Sequence, residues 1–208
     1  PGFGTVNMDF TSGSVIYTTV QRHQNINITN GSACNSTGNL LFSSNGIYVA
    51  NFLDDTMQNG SGLNPSYFTN QHVGAGLTLI QSNLVIPSLT DSSQYILFHN
   101  TIDDYFVTGA SLHLYYSIID MSRNGGLGEV LNKNTVLLND SMVPGRITAT
   151  RHANGRDWWI IVHKLYSNNA IEFLYTPHGF QGPFYKSLNI VRDFFSGYML
   201  FNPQGNKF

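Results

Sequence analysis

Gly38-Asn39-Leu40-Leu41-Phe42-Ser43-Ser44-Asn45-Gly46 is the stretch whose reading decides the fold. An apolar run leads into Asn-Gly, and a second apolar run, Ile47-Tyr48-Val49-Ala50, leaves it. Asn-Gly between apolar runs is the strongest short hairpin signal, because both residues tolerate positive φ. Related phrases recur along the chain. One is His152-Ala153-Asn154-Gly155-Arg156-Asp157-Trp158-Trp159-Ile160-Ile161-Val162-His163. Another is Gly197-Tyr198-Met199-Leu200-Phe201-Asn202-Pro203-Gln204-Gly205-Asn206-Lys207-Phe208, which stops where a partner strand is expected. Short β units that recur in this way predict a propeller.

Outward from these phrases, short apolar or alternating runs bounded by turn residues dominate, which predicts strands. They cover 14–20, 39–42, 47–50, 77–82, 84–87, 95–99, 112–120, 128–138, 146–151, 158–164, 170–175, 188–191 and 198–201. No segment sustains a 3.6-residue period over a normal helix length. Single helical turns are expected at 54–59 and 192–195, and the chain is expected to start inside a strand-like region at Pro1-Gly2-Phe3-Gly4. The polar excursion over 51–72 reads as a long loop laid across one face, of a length that is usually functional or flexible. The strands group into units at 39–50, 77–99, 112–138 and 146–175, each all or part of a four-stranded blade. The fold class is therefore all-β: a β-propeller-like array of short antiparallel blades in a single domain over 1–208. About four blades and the start of another at 188–208 make this an incomplete propeller, since closure takes roughly four to eight.

Composition narrows the function classes. Only 11% of the 208 residues are charged, against a usual value of about 25%. Asn, Ser, Thr and Gly supply the polar surface instead, and they favour tight turns. Aromatics make up 13%, with 14 Phe and 11 Tyr, which suits strands. A net charge of −2 with no basic run lacks the electrostatic footprint of a nucleic-acid binder. No apolar stretch of about 20 residues is present to form a transmembrane helix. The one cysteine, Cys34, has no internal disulfide partner and is expected to be a buried, inert thiol.

Several phrases together resemble a group of exported, WD-like β-propeller proteins of Bacteroidota, often carrying adhesion-type modules and a C-terminal sorting domain for type IX secretion. The resemblance runs through Met8-Asp9-Phe10-Thr11-Ser12-Gly13, the 38–46 hairpin and Met57-Gln58-Asn59-Gly60-Ser61-Gly62-Leu63. Its specific parts are Asp120-Met121-Ser122-Arg123-Asn124-Gly125-Gly126-Leu127-Gly128-Glu129-Val130 and the 152–163 segment. It covers most of the chain, in order. It implies a secreted or surface-attached propeller and brings no catalytic motif with it. The chain departs from the group at its start, where Pro1-Gly2 replaces an aromatic residue, and it carries no sorting domain.

The residues with chemistry to offer are few. Trp158 with Trp159 and Tyr115 with Tyr116 are neighbours on strands, so each pair points to opposite faces. One of each pair is expected in the core and the other free to stack on a sugar. His152, Asp157 and His163 combine acid-base or ligand groups, but their setting reads as a turn and a strand-end tie. His152 and Asp157 stand with the two aromatic pairs as ligand-contact candidates. Asp103-Asp104 and Asp54-Asp55 read as solvated loop acids. Five Asn-x-Ser/Thr sequons occur, at Asn27, Asn30, Asn35, Asn59 and Asn139. Asp55-Thr56-Met57 and Asp140-Ser141-Met142 resemble O-glycan acceptor patterns of exported Bacteroidota proteins, which makes Thr56 and Ser141 glycosylation candidates. No phosphate loop, Cys/His metal spacing or nucleophile elbow is present, so no catalytic residue, metal or cofactor is expected. The reading is a non-catalytic, secreted or cell-surface propeller module that contacts a glycan or a surface or secretion-system protein. The alternatives are a polysaccharide-acting propeller enzyme using Asp103, Asp104 or Asp157, and a structural subunit of an extracellular assembly.

Overall fold

The computed structural model describes residues 4–192 and 197–207. It is all-β, built of antiparallel meanders. A hairpin of β1 (Gly4–Asp9) and β2 (Ile16–Gln21) comes first. The first meander follows: β3 (Gly31–Cys34), β4 (Leu40–Ser44), β5 (Tyr48–Asn51) and β6 (Thr56–Ser61). The second is β7 (Asn83–Pro87), β8 (Gln94–His99), β9 (Ser111–Asp120) and β10 (Glu129–Met142). The third is β11 (Thr148–Arg151), β12 (Trp158–His163), β13 (Ser167–Thr176) and β14 (Gly179–Arg192).

One parallel pairing, Gln58 with Glu129, joins the first two meanders into an eight-stranded sheet ordered β3-β4-β5-β6-β10-β9-β8-β7. Its two edge strands return to each other: a Cβ placed on Gly31 of β3 would lie 3.1 Å from the Cβ of Asn83 on β7. The sheet is thus barrel-like and nearly closed. Its interior holds Phe42, Val49 and Met57 of the first meander against Leu97, Ile119 and Val130 of the second.

Alternation along β8 explains the layering. Leu97 points into that interior, while Ile96 and Phe98 point the other way, onto Ile160, Val162, Ile171 and Phe173 of the third meander. The second meander is therefore buried on both faces, and its β8 reads as the continuous apolar run Tyr95-Ile96-Leu97-Phe98 expected of such a strand. Each fully buried Phe or Ile here contributes roughly 1.5–3 kcal/mol of transfer free energy.

The recurring phrase corresponds to recurring turns. Between the first and second strands of each meander, one backbone closure repeats: Asn35 N–H to Asn39 O at 2.9 Å, Ser88 N–H to Gln94 O at 2.9 Å, and His152 N–H to Asp157 O at 2.8 Å. The 197–207 segment makes the same closure, from Asn202 N–H to Lys207 O at 2.8 Å. A side chain caps each turn, with Asn35, Asp91, Asn154 and Asn202 accepting from amides two or more residues on. These are Asx turns, so the Asn/Asp-rich phrase has a mechanical reason.

Several expectations change. The expected units 77–99 and 112–138 are one meander, with 77–82 serving as an extended bridge: Thr29 N–H bonds Leu77 O, and Ile147 N–H bonds Gln81 O, both at 3.0 Å. Residues 54–59 form no helical turn. Asn51 Oδ1 caps a tight turn by accepting from Leu53 N–H at 2.9 Å, Asp54 takes φ 70°, and the chain leaves as β6. The 51–72 excursion is not one loop; it contains β6 and a short helix, α1 (Tyr67–Gln71). Leu188 lies inside β14, so the segment akin to a new unit is 197–207. Cys34 is exposed, because on β3 it is Ala33 that faces inward. The expected turn at 192–195 and the strand-like start at Pro1-Gly2-Phe3 fall, in whole or in part, outside the described residues. Among the described residues, no helix is long and apolar enough to cross a membrane.

Candidate ligand-contact site

The connections after β4, β6, β8 and β10 gather at one end of the meanders. Leu77 N–H bonds Asn45 O at 3.0 Å, and Gly145 N–H bonds Asn100 Oδ1 at 2.9 Å. The two longest of these connections, 62–82 and 100–110, meet there and raise an aromatic platform.

The first wall is α1. Ser66 Oγ caps its start by accepting from Thr69 N–H at 3.0 Å. Phe68 turns inward beneath Ile47, Leu77, Leu79 and Ile102, while Tyr67 is left outside. His72 closes the helix: its Nδ1–H donates to Phe68 O at 2.8 Å, and its ring lies 4.2 Å from that of Phe68. Hydroxyls join the helix to the second loop, with Thr69 Oγ1 and Thr101 Oγ1 2.9 Å apart.

The second wall is shaped by Asp103 and Asp104. Asp103 Oδ2 accepts from Leu112 N–H at 2.7 Å and from His113 N–H at 3.1 Å, and His113 Nδ1 lies 3.3 Å from its other oxygen. Asp104 Oδ2 accepts from Thr108 Oγ1 at 2.7 Å. Neither acid is freely solvated; both are spent on holding the loop, whose tip Tyr105-Phe106-Val107 is thrust into solvent. Tyr67 is 49% exposed, Tyr105 48% and Phe106 74%. Phe106 sits 4.7 Å from Tyr67 and 5.2 Å from Tyr105, ring centre to ring centre, and Tyr67 lies 5.7 Å from Tyr105. Scattered exposed apolar groups need no explanation, but a contiguous exposed patch marks a contact surface. The rings tilt at 36°, 50° and 82° to one another, so they form a faceted surface, not a flat one.

Just beneath the platform, Asn64, His99 and Ser117 form a chain of hydrogen bonds. Asn64 Nδ2 donates to Gly46 O at 3.0 Å, so its Oδ1 accepts from His99 Nδ1–H at 2.7 Å. His99 Nε2 then accepts from Ser117 Oγ–H at 2.8 Å, and Ser117 Oγ accepts from Asn134 N–H. The atom order is that of a nucleophilic relay. All three side chains are fully buried, however, and the chain of bonds acts as a strut between the first and second meanders. Burial holds the His99 ring neutral, with its pKa lowered to about 3.

The residues singled out from sequence are dispersed. Trp158 packs against the core between the second and third meanders, with the Arg151 guanidinium 4.3 Å over its ring. Trp159 takes the opposite face, half-buried, with His152 5.8 Å from its ring. Tyr115 is buried, stacked between His99 and His113 at 5.7 and 5.3 Å, and Tyr116 packs on the core beside Phe180. Neither tyrosine is the free ring expected of the pair. His152 and Asp157 close the turn before β12. Asp157 accepts from Arg156 Nε at 2.7 Å and from Asn154 Nδ2 at 2.8 Å, and the Arg156 bond leads in lowering its pKa to about 2. His163 stands at the far end of β12, roughly 3.3 Å per residue away. Thr56 is exposed at the start of β6, and Ser141 is half-buried on β10. Among the described residues, no three His, Cys, Asp or Glu side chains gather as a metal site. Sequence reading passed over the platform, yet it had a mark: Tyr105-Phe106-Val107 is an apolar triplet in a stretch otherwise made of turn residues.

Comparison with family models, with curated proteins and with solved structures gave no match in any of the three.

Proposed function

We propose that this protein is a non-catalytic β-propeller module, exported or held at a cell surface, that makes contact with a glycan or a partner protein through the aromatic platform of Tyr67, Tyr105 and Phe106. The observation that carries the reading is the contiguous exposure of these rings on loops braced from below by Asp103, Asp104 and the Ser66–Thr69–Thr101 hydroxyls. Aromatic faces stack on the apolar faces of sugars and on side chains alike. Their tilts favour a ligand of single, rotated rings over a flat crystalline surface.

The propeller reading is supported by successive four-stranded meanders stacked face to face, by the repeated turn closure, and by loops gathered at one end. The export reading draws on the phrases shared with exported Bacteroidota propellers and on the scarcity of charge. The enzyme alternative needs two carboxylates facing across a cleft. Asp103 and Asp104 instead hold backbone and hydroxyl donors, and Asp157 is clasped by Arg156 and Asn154.

A glycan array run alongside a polysaccharide hydrolysis screen tests the proposal. Retention without turnover is expected, reduced at least tenfold in Tyr67→Ala and Phe106→Ala with unchanged melting temperature. Hydrolysis by the wild-type protein, or binding indifferent to both substitutions, overturns it. Failure to bind any glycan, together with platform-dependent binding of a cell-surface protein, assigns the contact to protein.

A further inference from the structure

The outer face of the third meander carries a second site, independent of the platform. The pairings Thr150↔Trp159, Trp159↔Leu174, Ile161↔Glu172 and Glu172↔Phe184 place Thr150, Trp159, Ile161, Glu172 and Phe184 on one face, away from the core. The 197–207 segment lies across that face, fastened where Thr150 Oγ1 donates to Gly205 O at 3.3 Å and where Gln81 grips the Met199 backbone through both ends of its amide. Between segment and sheet is a hollow of about 190 Å³ lined by Trp159, Ile161, Glu172, Phe201 and Asn206.

Its chemistry is one-sided. Glu172 sits between Ile161 and Phe184 on the neighbouring strands, and its carboxylate has no hydrogen bond or ion pair among the described residues. The Thr150 hydroxyl is engaged with Gly205. Lys186, the nearest cation in register, is exposed on β14, a diagonal step away, and does not close onto the acid. Trp159 and Phe201 supply the aromatic part of the lining, beside the apolar Ile161 and the neutral amide of Asn206. Aromatic rings beside an unpaired carboxylate are the composition of an organic-cation site. Desolvation raises the Glu172 pKa, with Lys186 opposing, so an entering cation would offset the burial of that charge. The volume is below the roughly 300–1,000 Å³ of sites that enclose whole small molecules, so the hollow takes a head group on a stem.

We propose that the hollow formed by Trp159, Phe201 and Glu172 binds the ammonium or guanidinium head group of an organic cation, either a free alkylammonium or a basic side chain of a peptide.

The Trp159 indole N–H signal, assigned with Trp159→Phe, reports on binding by NMR titration. The probes are n-butylammonium, the tripeptides Gly-Lys-Gly and Gly-Arg-Gly, and glucose as the neutral control. Saturable shifts with the cations are expected and none with glucose. Glu172→Gln, which keeps the shape of a half-buried side chain, should weaken binding at least tenfold at unchanged melting temperature. Lys186→Ala should strengthen it about threefold by removing the competing charge. Preference for the tripeptides over butylammonium identifies a basic peptide as the source, and the reverse a free amine. Cation binding that survives Glu172→Gln, a glucose response at Trp159, or no response to any cation overturns the proposal.

Discussion

A proton on His99 has no place to go. Both ring nitrogens are committed, one donating to Asn64 Oδ1 and one accepting from Ser117, and among the described residues no carboxylate is paired with the buried ring. Desolvation therefore lowers its pKa from 6.5 to about 3. The unfolded chain takes up a proton below pH 6.5 that the folded chain refuses until about pH 3. The contribution of the neutral ring is thus fully present above pH 6.5 and lost progressively as pH falls, with a slope of about 1.4 kcal/mol per pH unit. Urea unfolding at pH 7, 6, 5 and 4 should show that slope. His99→Gln, although less stable at pH 7, should show a flatter profile over the same range. An equally steep profile in the variant would assign the acid sensitivity to other groups.

At the scale of elements, close backbone approaches decide where sheets can stack. The connection between β10 and β11 passes so near the β7 lead-in that a Cβ on Gly145 would overlap the Ile80 carbonyl oxygen, and Gly145 also takes φ 80°. Steric overlap and left-handed strain add, so Gly145→Ala should cost on the order of 2 kcal/mol or more, measurable as a drop in urea midpoint. Gly155→Ala is the control: φ there is also positive, at 73°, but nothing lies near the added methyl, so its cost should be near 1 kcal/mol. Equal losses at the two glycines would show that the overlap is relieved without cost.

The same elements show what the sequence made legible. Hairpins and turns were readable because Asn-Gly and Asn/Asp caps act locally: the 38–50 phrase became β4, a turn and β5, and Ser122-Arg123-Asn124-Gly125-Gly126 separates β9 from β10. Strand grouping was not readable, because 77–82 has the apolar pattern of a strand yet divides its backbone bonds among several neighbours, as a bridge between meanders. The inward or outward aim of adjacent aromatics was readable for Trp158 and Trp159 from alternation alone. It failed for Tyr115 and Tyr116, since both faces of the second meander are covered and neither side is open. The platform depends on two loops meeting in space at Thr69 and Thr101, 32 residues apart in sequence, and no local pattern records such a meeting.

Across the whole molecule, order should be graded from the middle outward. The β7–β10 meander is covered on one face by the β3–β6 meander and on the other by the β11–β14 meander, and β8 is buried from Ile96 to His99. The β1–β2 hairpin is the opposite case. Val6, Met8, Ile16 and Tyr17 are all exposed, so among the described residues the pair draws its support chiefly from its own ladder of backbone bonds. An isolated two-stranded ribbon is marginally stable in water, whereas amides in a doubly covered sheet open only with the global transition. Hydrogen exchange followed by mass spectrometry should therefore find β8 and the paired part of β9 slowest, close to the global unfolding free energy. The third meander, whose outer face is crossed only by the 197–207 segment, should exchange faster, and β1–β2 fastest by orders of magnitude. A ligand seated between Trp159 and Phe201 should slow exchange in β12 and β13 and leave the hairpin untouched. Protection of the hairpin equal to that of β8 would mean that its exposed apolar residues are covered in solution.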